Sequence, residues 1–220
     1  YFAQIEEKLY FRGITEEVVD YLKEEYGDRF EYIAERDLFD YVYDGEIMRT
    51  LKGRKNSKKR NHINYFLTEY DGRFEYRLLG KEDFDDCRAL LDEWTINKEE
   101  NDNIEEGVDD ERSGIEKLFT HYDQICDRLK IAGIYIDGKL EAFTMGELLN
   151  KNMALIHIEK ANPEIRGLYP YINQQFLVHE FPDVEFVNRE EDMGIEGLRK
   201  AKLSYHPCKL VEKYTVREAN

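Results

Sequence analysis

Apolar positions recur along this chain with two different periods, and the places where the period changes mark its elements. Over residues 14–26, Val18, Val19 and Leu22 form a helical stripe. Thr15 stands at its cap, Glu16 and Glu17 suit the positive end of the helix dipole, and Gly27 ends it. The stretches FEYIA and FDYVY then alternate as strands. Ile63, Phe66 and Leu67 predict a helix from about Lys59 to Tyr70, closed by the turn pair Asp71-Gly72. FEYRLL is a strand, and Asp83 is placed to cap a helix carrying Cys87, Leu90, Leu91 and Trp94. A loop is expected over Lys98 to Glu111 and a second helix from about Gly114 to Lys130. Two strands joined at Asp137-Gly138, with MALIHIE as a third, form a meander. The remainder reads as a helix over IRGLYPYINQQFLVHEF, a strand over VEFVN, a short helix over IEGLRKAKLSY and a closing strand over CKLVEKYTV.

Composition narrows the class. With 220 residues, 41% hydrophobic and 13% aromatic, the chain carries enough apolar surface for a folded core. Lys and Arg number 32 against 48 Asp and Glu, a net charge of -16, so the average surface repels phosphate polymers and anionic membranes. Any such partner needs a local basic site. One is present: Lys52, Arg54, Lys55, Lys58, Lys59 and Arg60 place six positive charges in nine residues. The eight carboxylates among residues 99–111 read as a solvated face. No apolar run reaches the roughly 18 residues of a membrane span, and YFAQIEEKLY lacks the pattern of a signal peptide, so a cytoplasmic location is expected. The start at Tyr1, without an initiator Met, leads us to expect an upstream segment. Cys87, Cys126 and Cys208, odd in number and widely spaced, fit reduced structural thiols.

The order strand, two helices, three-stranded meander, helix, strand, helix, strand is that of the acetyltransferase-like (GNAT) acyltransferase fold, an α/β (α+β) architecture with a mixed central sheet flanked by helices. The stretch VNREEDMGIEGLRKAKLSYHP resembles the closing signature of the phosphatidylglycerol lysyltransferase C-terminal domain family. GRKNSKKRNHINYF and HIEKANPEIRGLYPYINQQF are similar to further segments of that family, and together the likeness runs from about Leu51 to Tyr214. The resemblance implies an enzyme that moves an aminoacyl group from a charged tRNA to a lipid head group or another amine or hydroxyl acceptor. It also implies a tandem duplication, with residues 1–70 holding the C-terminal part of a first unit plus the basic segment, and 71–220 a complete second unit. Aminoacyl-tRNA is then a co-substrate, and no resident cofactor or metal is required. The lipid enzymes of the family usually carry membrane spans ahead of this domain.

Candidate residues follow from chemistry and position. Lys58, Lys59 and Arg60 can neutralise phosphates while Asn64 supplies a neutral hydrogen bond, which fits a tRNA acceptor stem; a solvated basic loop fits the same pattern. Arg166 and Gly167 stand where this fold usually presents amides to the pyrophosphate of coenzyme A. Leu168, Tyr169 and Pro170 replace the second small residue expected there, and Pro170 brings no donor, so acetyl-CoA is the less favoured donor. Strand alternation sends His157 and Glu159 to one face and Ile156 and Ile158 to the other, which makes Glu159 a candidate to take a proton from an attacking amine, with Lys160 as its neighbour. At the last motif Asn188, Glu191, Asp192 and Arg199 gather polar groups at a strand end. Glu191 or Asp192 can hold an amino group, Lys202 a phosphate or a developing oxyanion, and Tyr205 the leaving ribose oxygen. Glu159, Asp192, Lys202 and Tyr205 are thus the catalytic candidates. The alternatives are a coenzyme A-dependent N-acyltransferase and a non-catalytic binding module on the same fold.

Overall fold

The computed structural model describes residues 8–101 and 108–219. In chain order the elements are β1 (Tyr10–Thr15), α1 (Glu16–Tyr26), β2 (Phe30–Ala34), β3 (Asp40–Asp44), α2 (Gly45–Thr50), α3 (Ser57–Glu69), β4 (Phe74–Leu78), α4 (Phe84–Asn101) and α5 (Val108–Thr120). They continue with α6 (Tyr122–Ile125), β5 (Lys130–Ile136), β6 (Lys139–Asn150), β7 (Met153–Ala161), α7 (Leu168–Glu180), β8 (Phe186–Asn188), α8 (Glu196–Leu203), β9 (Lys209–Val211) and β10 (Lys213–Glu218). The fold is mixed α/β with largely antiparallel strand pairing, as expected. The described residues fall into two compact units, one running up to Asp44 and resuming at Asn188, the other from Gly45 to Val187.

The second of these units is built on the antiparallel meander β4-β5-β6-β7, beyond which β8 lies next to β7. The β5–β6 turn uses Asp137 and Gly138 at φ 49° and 85°, the mirror-image turn whose twist suits a tight hairpin. Odd positions of β5 face α4 and α5: Ile131 and Tyr135 join Cys87, Leu90, Leu91, Ile115, Phe119, Phe143 and Met145 in one apolar core. On the opposite face α7 packs across β5, β6 and β7 and meets α2 and α3. There Phe66, Phe74 and Tyr171 cluster with ring centroids 4.9–5.4 Å apart. Burial against carboxylates pushes the Cys87 thiol up to about 12, which fits the inert structural thiol anticipated.

Several local expectations change. The acidic stretch is helical where it is described: α4 runs on through Asn101 and α5 begins at Val108, while 102–107 lie outside the described residues. The second helix therefore starts earlier than Gly114, and it stops at Thr120 before the short α6. Asp83 sits just ahead of α4 and turns back, accepting from the Gly80 N–H at 2.9 Å, from Arg77 at 2.6 Å and from Tyr135 at 3.0 Å.

In the other unit β10 lies between β1 and β2, all antiparallel, and α1 covers this sheet through Val19, Phe30 and Val216. β3 pairs antiparallel with β9. The single closing strand expected over CKLVEKYTV is thus two strands, parted at Glu212, that serve different pairings. Among the described residues no helix is long and apolar enough to cross a membrane.

Candidate functional site

Two sequence motifs a hundred residues apart meet on the 45–187 unit. α3 opens with Lys58, Lys59 and Arg60 and has no acid in its first turn, the reverse of what the helix dipole favours. Not all of the basic run faces solvent chemistry. Arg60 folds back onto the carbonyls of Leu51 and Gly53, the latter at 2.8 Å, and Lys52 pairs with Glu46 at 2.5 Å. Lys58 and Asn64 are exposed. One turn on from Lys58, the His62 Nδ1 accepts from the Arg166 Nε at 3.4 Å, and the Arg166 guanidinium lies 4.6 Å from the Tyr65 ring centroid. Burial lowers the His62 pKa, and the charges of Arg166, Lys58 and Lys59 lower it further. The group is a cationic patch with one aromatic face.

Gly167 explains this meeting. Its φ of 92° is the left-handed region, and a Cβ there would run into the His62 carbonyl and lie 3.0 Å from the Phe66 Cβ. The glycine therefore lets the start of α7 close onto α3. The first amide of α7, Leu168, already donates to the Ile165 carbonyl at 3.2 Å, and Pro170 has none, so one first-turn donor remains. That is a poor cradle for a pyrophosphate.

At the end of β7 the strand does not alternate as expected. Met145 pairs with Ile158 but Gly146 pairs with Ile156, so His157 is an extra residue, a β-bulge. Ile156 lies with Phe176 on the α7 face, whereas Ile158 packs into the core under α4 and α5. His157 bonds Glu147 at 3.1 Å, and Glu147 stands two residues from Met145 on β6. Glu159 has turned to the α7 face, where its Oε2 accepts from Asn173 Nδ2 at 2.6 Å. His157 and Glu159 thus do not share a face. Lys160 points the other way: its ammonium sits 3.5 Å over the Trp94 ring and 2.7 Å from Glu111, and the Trp94 Nε1–H donates to the Tyr169 hydroxyl at 3.0 Å.

The last motif makes a knot within the other unit. Asp192 is fully buried. Its Oδ1 accepts from the Gly194 N–H at 2.9 Å and Arg199 Nη2 at 2.7 Å, and its Oδ2 from Arg199 Nε at 2.8 Å, Tyr41 at 2.5 Å and Arg36 at 3.3 Å. Burial alone would raise the Asp192 pKa; the bonds from Arg199, Tyr41 and the Gly194 amide together outweigh it and hold the carboxyl well below the usual range. Lys202 spends its three donors on the carbonyls of Arg189 (2.5 Å), Glu190 (3.2 Å) and Glu191 (2.5 Å). Burial is the main reason that its pKa falls to about 8. Asn188 donates to Asp40 at 3.0 Å and accepts from the Glu190 N–H at 2.8 Å. Tyr205 packs edge-on against Tyr43 and lies under Arg189. In this arrangement Asp192 and Lys202 shape the 189–194 turn, where Glu190 and Met193 hold φ of 54° and 53°.

The description "Phosphatidylglycerol lysyltransferase, C-terminal" belongs to a family model that matches residues 1–217. The chain belongs to that family. A conserved protein of unknown function from Bacteroides thetaiotaomicron superposes with a TM-score of 0.90 at 32% identity, over 99% of this chain and 72% of that one. The C-terminal domain of a putative lysylphosphatidylglycerol synthetase from Agrobacterium fabrum (TM-score 0.67, 14% identity, 99% of this chain and 70% of that one) has the same fold. So has L-PGS from Bacillus licheniformis (0.65, 13%, 99% and 70%). An uncharacterised protein of Mycoplasmoides gallisepticum is 26% identical over 180 residues, 80% of this chain. The chain spans 55% of the length of that curated relative.

For this lysyltransferase-family chain, the candidate residues therefore fall into three groups. Lys58, Lys59, Arg166 and Gly167 come together, Glu159 joins Asn173, and Asn188, Glu191, Asp192, Arg199 and Lys202 form the knot, with Tyr205 against Tyr43. Sequence reasoning missed His62, Tyr65, Asn173, Trp94 and Tyr41. His62 and Tyr65 carried a usable signal, since helical spacing sets them near the face of Lys58.

Proposed function

We propose that the chain transfers an aminoacyl group from aminoacyl-tRNA to an amine or hydroxyl acceptor, with a lipid head group as the acceptor class that its family favours. The observation carrying this reading is the patch of Lys58, Lys59, His62 and Arg166 beside Tyr65, on a chain whose net charge is -16. Cations concentrated at one helix start, against the helix dipole and on an acidic protein, make a local site of positive potential that attracts an anion. Lysines and an arginine meet phosphates, and an aromatic face meets a base or ribose at the single-stranded tRNA end. The crowded start of α7, with Pro170 in its first turn, favours this donor over coenzyme A.

The reaction needs no redox step. The acceptor's oxygen or nitrogen attacks the ester carbonyl, a tetrahedral oxyanion forms, the bond to the ribose oxygen breaks, and the proton lost by the nucleophile ends on that oxygen. Positioning and oxyanion stabilisation supply the acceleration. Asp192 and Lys202 act here as positioning residues for the 189–194 turn.

The test uses the whole chain, tRNA charged with a mixture of labelled amino acids, and phosphatidylglycerol vesicles or small amines as acceptors. Label appearing on an acceptor only with charged tRNA is the expected result. No transfer to any acceptor, together with consumption of acetyl-CoA, overturns it in favour of a coenzyme A thioester donor.

A further inference from the structure

Asn173 is a polar residue in an apolar place. It is 2% exposed on α7, between the fully buried Ile172 and Phe176. Its amide nitrogen donates to the Glu159 carboxylate at 2.6 Å. That bond fixes the orientation of the amide, because turning it over would set Oδ1 against a carboxylate oxygen. Oδ1 is consequently left buried and accepts from no donor. An unmade bond of this kind is costly in a core and rare in native proteins, so it calls for a reason.

Glu159 reaches Asn173 only because of the bulge at His157. Without the extra residue, alternation from Ile156 on the α7 face would carry Glu159 to the α4 face. Two unfavourable features, a phase slip in a central strand and an orphaned acceptor, thus converge on one spot. What they assemble there is a pair of acceptors, one charged and one neutral, with Thr144 opposite Glu159 in the strand register. Glu159 is only partly buried, which leaves the pair a route to solvent. The complement of such a pair is a small cation with several donors, and a primary ammonium has three.

We propose that Glu159 and Asn173 form the binding site for the α-ammonium of the aminoacyl group, with the Asn173 Oδ1 and the Glu159 carboxylate accepting from it. The ligand is named from the aminoacyl-ester reading above, but the site is tested without turnover. The probes are L-alanine and L-lysine methyl esters and their Nα-acetyl forms, titrated into the whole chain and followed by NMR, including the Asn173 side-chain amide. A saturable shift is expected with the free amines, and at least tenfold weaker binding after Nα-acetylation. Asn173→Leu and Glu159→Gln should each weaken the free amines at least tenfold. Asn173→Leu should also keep or raise the melting temperature, because it replaces an unmet acceptor with apolar surface; a purely structural Asn173 would lower it. Equal binding of free and acetylated esters, no binding by the parent, or parent-like binding by both variants overturns the site. Ammonium-dependent binding in a protein that transfers nothing from tRNA would sink the transferase reading and leave this one standing. Transfer at parental kcat/KM by Asn173→Leu would do the reverse.

Discussion

Replacing Asp192 with Asn removes one buried charge while keeping the shape of the side chain, and the consequence can be worked from its contacts. Five donor atoms converge on the carboxylate, from Gly194, Tyr41, Arg36 and two nitrogens of Arg199. An amide cannot accept from all five, and its own N–H groups must then face a guanidinium or the tyrosine hydroxyl. Breaking a buried ion pair costs roughly 3–5 kcal/mol. The lower end applies, because the Arg36 and Arg199 side chains are 38% and 32% exposed and water can solvate them. At roughly 2–4 °C per kcal/mol for a chain of this size, a loss of about 3 kcal/mol lowers the melting temperature by roughly 6–12 °C. The effect also has a pH signature. The folded pKa is depressed below the ordinary 3.8, so the unfolded chain takes up the proton first. The stabilisation is therefore complete above about pH 4 and is lost as pH falls through the depressed folded value. The variant lacks this term, so the gap in melting temperature between parent and Asp192→Asn should narrow as pH drops from 4 to 3. Thermal melts by circular dichroism at pH 7, 4 and 3 measure it. A gap that is the same at pH 3 as at pH 7, or one within error of zero at pH 7, would refute the argument.

Three further outcomes are expected. Triple substitution Lys58→Ala, Lys59→Ala, Arg166→Ala should weaken tRNA binding and flatten its salt dependence, the slope of log K against log salt falling by about 0.7–0.9 for each phosphate no longer neutralised; equal slopes in filter-binding titrations would count against the patch. His62 titrates low because of burial and the three cations around it, so a bound polyanion that neutralises those cations should move its NMR titration midpoint upward, and a midpoint unchanged at saturating tRNA contradicts the placement. Gly167→Ala adds the cost of a positive φ, about 1–2 kcal/mol, to overpacking of about 1–3 kcal/mol against the α3 backbone, so urea unfolding should show a loss of at least about 2 kcal/mol.

How much of this was legible in the sequence depends on the distance over which each feature is decided. The β5–β6 hairpin and its turn are local: the two strand patterns and the Asp137-Gly138 pair between them specify it from sequence neighbours alone. The stripe of Cys87, Leu90 and Leu91 likewise declares a helix facing a core. β1 was hidden because its residues are exposed or half-buried, with no clean alternation, and its partner β10 lies about two hundred residues away. α2 is a six-residue helix, too short for a periodic signal. The basic run and the Arg166-Gly167 turn were each visible, but their meeting is tertiary and rests on a glycine whose missing Cβ makes room for a neighbouring backbone.

Glu159 is the most instructive case, because its identity as a candidate was legible while its surroundings were not. A period-two reading assumes that every residue of a strand advances the alternation by one step, and one bulged residue breaks that assumption for everything after it. From His157 onward the slip exchanges faces: Ile158 and Lys160 turn to the α4 side, and Glu159 turns to α7. Nothing in the composition of HIEK marks the slip, since histidine is not a characteristic bulge residue and the flanking isoleucines suit either face. Asn173 was overlooked for the complementary reason, as a polar residue within an apolar helix reads as solvent-facing until its position on the packed face is known. The bulge and the buried amide make sense only as a pair, because each alone would be a local defect in a well-packed unit. Together they hold a carboxylate and an unfilled acceptor side by side.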